Sequence, residues 1–422
     1  MVDSVSSLTA GAARRSKFRA FMQAFNPTAP AQVAIEAGLI CEDLHRSLYQ
    51  NLGARADLEA GSLQLLVGGI GSGKTTELLL AVKWLREHAD VLPLYIDITT
   101  ETDLSGLNVG SLLASFGTHL SSRLQKAPNF ARERKVELKE TFQKIREFAF
   151  GRVERVWVSY DQDEGEPDFE DESTEEGYFT FQKLPGKLKP PLPALRRDLG
   201  QIVEPLKKLL EAARVYSKDV IVVLDGLDRL LVPEKFLAVA FQDFRVFRSL
   251  KVSVLSTAPI SILYGVGNSV PEYFDRVQHV PALVAGPKDD LLRSVIQKRG
   301  GLNLMGVEEA DSLCKFSGGV LRDLISLARD AAEEAYISGH QSITAEDTAK
   351  VVQQLGASYM RGLSPESIKA LLAMEKSKEF DVSKPANIEF LVTRRVLEYS
   401  TNNFRPHPAL LSAILAPEEP NA

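Results

Sequence analysis

Residues 68–76 read Gly-Gly-Ile-Gly-Ser-Gly-Lys-Thr-Thr, with Gly68, Gly73, Lys74 and Thr75 at the spacing G-x-x-x-x-G-K-[ST]. Those residue types at that spacing suit a polyphosphate. Gly68, Gly69, Gly71 and Gly73 let backbone N–H groups turn inward and approach phosphate oxygens closely. Ile70 and Ser72 complete the loop. Lys74, Thr75 and Thr76 open a helix whose partly positive end points at the same charges. Lys74 would reach the β- and γ-phosphates, and the Thr75 hydroxyl would ligate Mg²⁺.

Such a site needs a carboxylate near the metal, at the end of an adjacent strand. Residues 219–229, Asp-Val-Ile-Val-Val-Leu-Asp-Gly-Leu-Asp-Arg, supply it. Five consecutive apolar residues suit a strand buried on both faces, and Asp225 emerges at its carboxyl end, placed to hold Mg²⁺ through water. Asp228 is the nearest carboxylate able to act as general base toward an attacking water. Its competing role is a salt bridge or loop cap.

Several elements must hold these groups in place. Residues 62–67 form an apolar run that reads as a strand before the glycine loop, and residues 76–85 read as the helix after it. Further strands are expected at 91–97, 250–257 and 277–283, alternating with helical segments that include 233–248. This alternation predicts an α/β fold with a parallel sheet and crossover connections. Ser256 and Thr257 would end their strand beside that of Asp225, where Thr257 is a candidate for contacting the γ-phosphate or the water; strand-end hydroxyls are also common without such a role.

Together these residues resemble the additional-strand branch of P-loop ATPases, of the AAA+ and STAND type. The string from Asp225 to Arg229 is similar to the carboxylate motif of NACHT and KAP ATPases. Residues 256–259 fall where those families place their first sensor, although Ala258 replaces the arginine common in NACHT proteins. Many related ATPases carry Glu directly after the metal-binding Asp; here that position is Gly226. The resemblance spans residues 30–355, with 126–198 as an insertion, and implies ATP as ligand and Mg²⁺ as cofactor. In replication-initiator AAA+ proteins an arginine after a glycine opens a lid helix and senses the γ-phosphate. Arg322 in Ser317-Gly318-Gly319-Val320-Leu321-Arg322 looks similar, and the apolar stripe of the helix that follows leaves it off the packed face. Arg276, before the fifth strand, falls where such proteins carry an arginine finger, which completes a neighbouring subunit's site. Its alternative is a salt bridge with Asp275.

The resulting organisation is a basic helical extension at 1–30, a P-loop NTPase core at 31–286 with its parallel sheet flanked by helices, a helical lid at 287–358, and a winged-helix-like module at 359–422. Lid helices are expected at 288–300, 307–316, 321–338 and 344–357. In the last segment, helices at 364–376 and 385–398 lead into a hairpin around Thr401-Asn402-Asn403. Arg394, Arg395 and Arg405 are its candidate DNA contacts, set against Glu389 and Glu398.

The chain has 422 residues and a net charge of −6, with 44% hydrophobic and 25% charged residues, a balance ordinary for a soluble globular protein. No apolar run reaches the length of a membrane span. Two cysteines, Cys41 and Cys314, both in helix-like stretches, argue against a disulfide scaffold or zinc site and fit a reducing compartment, so a cytoplasmic location is expected. Arg14, Arg15, Lys17 and Arg19 superficially match a transit peptide and read better as a basic amphipathic helix. Residues 161–176 hold ten Asp and Glu, so that the rest of the chain is mildly basic; the stretch reads as a solvated loop or a docking site for a basic partner.

Two functional expectations follow. One is a nucleotide-operated switch, an ATPase of a regulatory or bacterial defence-type system acting through a protein partner or through its own assembly. The other is a DNA-binding AAA+ ATPase similar to replication initiators or transposition helpers. A pseudo-ATPase scaffold is the third alternative.

Overall fold

A computed structural model describes residues 2–41, 48–127, 136–151, 198–230, 232–264, 273–284 and 290–416. The acidic stretch at 161–176 lies outside them. Five strands, β1 (Leu63–Val67), β2 (Val91–Asp97), β3 (Asp219–Asp225), β4 (Ser253–Ala258) and β5 (Arg276–His279), form one parallel sheet in the order β2-β3-β4-β1-β5. β4 therefore stands between the strand leading into the glycine loop and the strand ending in Asp225.

Successive side chains of a strand point to opposite faces, and here both faces are covered. Leu66, Ile221, Val223 and Leu255 meet α3 (Leu48–Leu58) and α4 (Lys74–His88) on one side. Leu65, Val67, Val222, Leu224 and Val254 belong to the larger core on the other. That core takes in the long β2–β3 connection, whose described helices, after the single turn α5 (Ile98–Glu101), are α6 (Ser111–Lys126), α7 (Lys139–Phe150) and α8 (Gly200–Ala213), and it also takes in α9 (Pro233–Ser249). Gly117 lets α6 and α7 meet closely: a Cβ there would lie 2.9 Å from a methyl group of Ile145.

β5 is shorter than the run at 277–283 suggests. Val280 still donates to the Val67 carbonyl at 2.7 Å, but Pro281 has no N–H to continue the ladder. Ala282 and Leu283 instead donate to the carbonyls of Glu398 and Gly319, at 2.9 and 3.1 Å. The segment leaving the sheet is thus tied to the C-terminal third.

That third contains α10 (Asp290–Lys298), α11 (Val307–Phe316), α12 (Leu321–Ile337) and α13 (Ala345–Met360), the last opened by a capping box between Thr344 and Asp347. They share a second core with Phe18, Phe21 and Phe25, of which the first two lie on α1 (Val2–Ala24). Arg14 fastens α1 through its Nε–H to the His340 carbonyl. The short α2 (Ala31–Glu36) precedes α3. The chain closes with α14 (Pro365–Ser377), α15 (Pro385–Val392), an antiparallel hairpin of β6 (Val396–Ser400) and β7 (Asn403–Pro406), and α16 (Pro408–Leu415). The helix expected over 385–398 stops at Val392, because Arg394 turns the chain with φ +60° and residues from Val396 onward pair with β7. The hairpin turn is made by Asn402 at φ +61°, a residue type that tolerates the left-handed region. Cys314 lies in α11 as expected, whereas Cys41 is in no helix.

Candidate functional site

The glycine loop leaves β1 at Val67 and returns as α4. Gly71 and Gly73 have φ of +88° and +100°, which side chains resist, and a Cβ on Gly68 would lie 2.4 Å from the Val280 carbonyl oxygen. Lys74 is buried beneath the loop, where its Nζ donates to the carbonyls of Gly68 and Gly69 at 2.9 and 2.8 Å. It also lies 2.9 Å from Asp228 Oδ2. The ammonium charge is met by Asp228 and two peptide dipoles.

Asp225 is 4% exposed at the end of β3. Its Oδ2 accepts from the Tyr95 hydroxyl at 2.8 Å and its Oδ1 from the Gly226 N–H at 2.8 Å. The Thr75 hydroxyl is a third partner. Burial pushes the carboxyl pKa above its ordinary value, against the lowering effect of the Thr75 and Tyr95 hydrogen bonds. One hydroxyl beside one carboxylate is the donor set of a metal that takes its remaining ligands from phosphate and water. Each carboxylate oxygen of Asp225 accepts one hydrogen bond from Tyr95 or Gly226, which leaves lone pairs for Thr75 and for a metal or a water. Among the described residues, no cluster of three or more His, Cys, Asp or Glu could hold a metal by itself.

These groups open into a cavity of about 780 Å³. Ile70, Gly71, Gly73, Lys74, Thr75, Thr76, Asp225, Asp228 and Arg322 all line it. Arg322 arrives from the first turn of α12. Its N–H donates to the Gly71 carbonyl at 3.4 Å, and a Cβ on Gly71 would lie 2.8 Å from its Cβ. Burial, with Arg229 and Arg394 nearby, lowers its pKa. The far wall is the N-terminal segment from Gln23 to Cys41 with Leu321, Ile325, Val295 and Arg299, a mostly apolar slot.

Other expected residues lie elsewhere. Gly68 is packed against Val280, and Gly69 and Ser72 face a small cavity behind the loop. Thr257, expected to face a phosphate or a water, is fully buried, and its Oγ1 accepts from the Leu227 N–H at 3.1 Å. It therefore braces the turn that carries Asp228. Arg276 opens β5, outside the cavity, and donates from Nε and a terminal nitrogen to the Gln278 side-chain oxygen at 3.3 and 3.1 Å. The alternative bridge to Asp275 is replaced by one from Arg248, at 2.7 Å.

Tyr95, Asp97 and Arg229 also line the cavity and were not singled out in the sequence. Tyr95 and Asp97 lie two apart on β2, with Asp97 paired to Asp225 across the ladder, so a hydroxyl and a carboxylate at the end of an apolar strand were the signal. Behind the loop, Glu398 of β6 accepts from the Tyr264 hydroxyl and lies 3.3 Å from His279 Nε2. Burial, together with the Lys74 charge, pushes the His279 pKa down to about 4.

No family model and no curated protein sequence matches this chain. Among solved structures it is similar to Drosophila ORC bound to DNA, at 14% identity over 80% of this chain and 67% of that one, with a TM-score of 0.41. It is likewise similar to Cdc6p from Pyrobaculum aerophilum, at 13% identity over 93% and 88%, with a TM-score of 0.41. The Thermotoga maritima RuvB Holliday junction branch migration motor matches at 14% identity over 86% of each chain, with a TM-score of 0.36. By its own sheet order and glycine loop, with β4 inserted between β1 and β3, the chain has a P-loop-type fold, a five-stranded parallel sheet flanked by helices.

Proposed function

We propose that the protein binds ATP with Mg²⁺ and hydrolyses it as a nucleotide-operated switch of the STAND type, in a regulatory or bacterial defence-type system. The observation that supports this most is the convergence of Lys74, Thr75 and Asp225 on one cavity that Arg322 closes from the helical bundle. The apolar slot lined by Leu39, Ile40, Leu321 and Ile325 suits a purine base, and the glycine loop suits the phosphates. When bound, Mg²⁺ would neutralise charge between the β- and γ-phosphates, held by Thr75 and, through water, Asp225.

An entering triphosphate competes with Asp228 for Lys74. As the ammonium turns to the phosphates, Asp228 loses its partner and becomes available to orient a water or take its proton. Thr257 keeps the turn of Asp228 in place. Arg322 would bring positive charge to the γ-phosphate, coupling its presence to the position of α12. In this reading residues 31–286 are the catalytic core and 287–358 the lid. Residues 359–422 form a winged-helix-like module that meets a protein partner or another copy of the chain. DNA is the weaker reading, because two of the three candidate contacts bind within the chain. Arg394 pairs with Asp323, and Arg395 donates to the carbonyls of Tyr359 and Arg361.

The test is ATP binding and turnover by wild type, Lys74→Ala and Asp225→Asn, each with and without DNA. Lys74→Ala is expected to weaken ATP binding by about 100-fold or more, given the loss of a buried charge-assisted contact. Asp225→Asn should bind ATP and fail to turn it over. No binding by the wild type would overturn the reading, and turnover that requires DNA would favour the alternative.

A further inference from the structure

One buried carboxylate has no part in the site described above, yet it lies directly beside a residue that does. Asp323, next to Arg322 in the first turn of α12, is 4% exposed. Its Oδ1 accepts from Arg394 at 2.6 Å, and its Oδ2 from the Tyr359 hydroxyl at 2.6 Å. His407 Nε2 lies 3.4 Å from the same Oδ2. The three partners come from the end of α13, the turn between α15 and β6, and the residue that caps α16. Burial disfavours the Asp323 charge, but the nearby His407 imidazole and the Arg394 charge outweigh it and hold its pKa below the ordinary value.

Arg322 leaves the same turn in another direction, over the glycine loop, with its N–H on the Gly71 carbonyl. The guanidinium sits near two other arginines, Arg229 and Arg394, both of which disfavour its charge, while Asp228 and Asp323 favour it. Arg394 is itself held in a left-handed turn, which is strained for a non-glycine residue, so its pairing with Asp323 is part of what keeps that turn in place. Neutralising Asp323 would release Arg394 and leave Asp228 as the one carboxylate named here that offsets Arg229 and Arg394 at Arg322.

We propose that Asp323 is the positioning residue for Arg322: it ties the first turn of α12 to the C-terminal hairpin and so keeps the Arg322 guanidinium over the glycine loop. The hairpin thereby becomes part of the nucleotide site. Its residues Val396, Leu397 and Glu398 also close the small cavity behind Ile70 and Ser72, so the loop is held from two sides by the same element. This inference rests on the ATP-site reading above.

The experiment measures ATP and ADP affinities of the full chain for wild type, Arg322→Ala, Asp323→Asn, the double variant and Arg394→Gln, with thermal melts alongside. Arg322→Ala should cut the preference for ATP over ADP by about tenfold, the size of one charge-assisted contact to the γ-phosphate. Asp323→Asn should reproduce most of that loss while leaving ADP affinity within about twofold, and the double variant should be no worse than Arg322→Ala, as coupled residues require. Arg394→Gln approaches the same pair from its other side and should act alike if Asp323→Asn folds poorly. The proposal is overturned if Asp323→Asn and Arg394→Gln keep the wild-type ATP/ADP ratio whatever their melting points, or if the losses add in the double variant. A wild type that prefers ATP while Arg322→Ala keeps that preference overturns this inference and leaves the ATP site standing. A wild type that binds neither nucleotide overturns both.

Discussion

At Asp225 the site's chemistry and the protein's stability pull in opposite directions. Burial raises its pKa, so the folded state pays to carry the ionised form. A carboxyl with a folded pKa above its unfolded value of 3.8 destabilises the fold increasingly as pH rises through that interval, and the loss is complete above it. Asp225→Asn is therefore expected to favour the fold more at pH 7.5 than near pH 4 relative to wild type, while ending turnover. Melting curves at the two pH values check the sign. The convergence of Lys74, Thr75 and Asp225 on one cavity was legible because the glycine-loop spacing and the apolar run before Asp225 each place a residue at the end of a strand. Tyr95 was visible only as a hydroxyl near the end of an apolar strand, since nothing in the local sequence says that this strand stands beside β3. Thr257 and Arg276 show the same limit: strand-end position was visible, but the hydrogen bonds from Leu227 and to Gln278 depend on neighbours distant in sequence.

Among the elements, the entry to α12 is the most constrained. Gly319 has φ +77°, and a Cβ there would lie 1.6 Å from the Leu283 carbonyl oxygen, which is backbone and cannot swing aside. Gly319→Ala should cost at least about 2 kcal/mol and weaken ATP binding with it, because α12 can no longer seat Arg322. Gly339 supplies the control. It too has positive φ, but its Cβ position is open, so Gly339→Ala should cost only about 1 kcal/mol and leave nucleotide affinity unchanged. Chemical denaturation and nucleotide titration of both variants check this. The parallel strands and bundle helices were readable from apolar runs and helical periodicity, because both sheet faces are buried and amphipathic helices need partners. The ends of β5 and α15 were misplaced. Pro281 stops the ladder, and Arg394 makes a left-handed turn that its pairing with Asp323 supports across 71 residues of sequence.

For the molecule as a whole, the position of Arg276 outside its own cavity bears on assembly. If it completes a neighbour's site, Arg276→Ala should bind ATP normally and lose about 10³-fold in turnover, and wild-type turnover per subunit should rise with protein concentration. Light scattering alongside the assay checks this, and concentration-independent turnover with an active Arg276→Ala would leave the residue a purely local bond to Gln278. The core, the bundle and the hairpin are also ordered along the chain in a way that matters during synthesis. Domains fold as they emerge, N-terminal first. Here the glycine loop is made first, and the residues that wall it from behind, Val396 to Glu398, follow only after the whole sheet and the helical bundle. A ribosome-bound chain stopped before the hairpin would hold a finished sheet and an unfinished grip on nucleotide. Competence to bind would then arrive only once the hairpin has been made and has packed behind the loop.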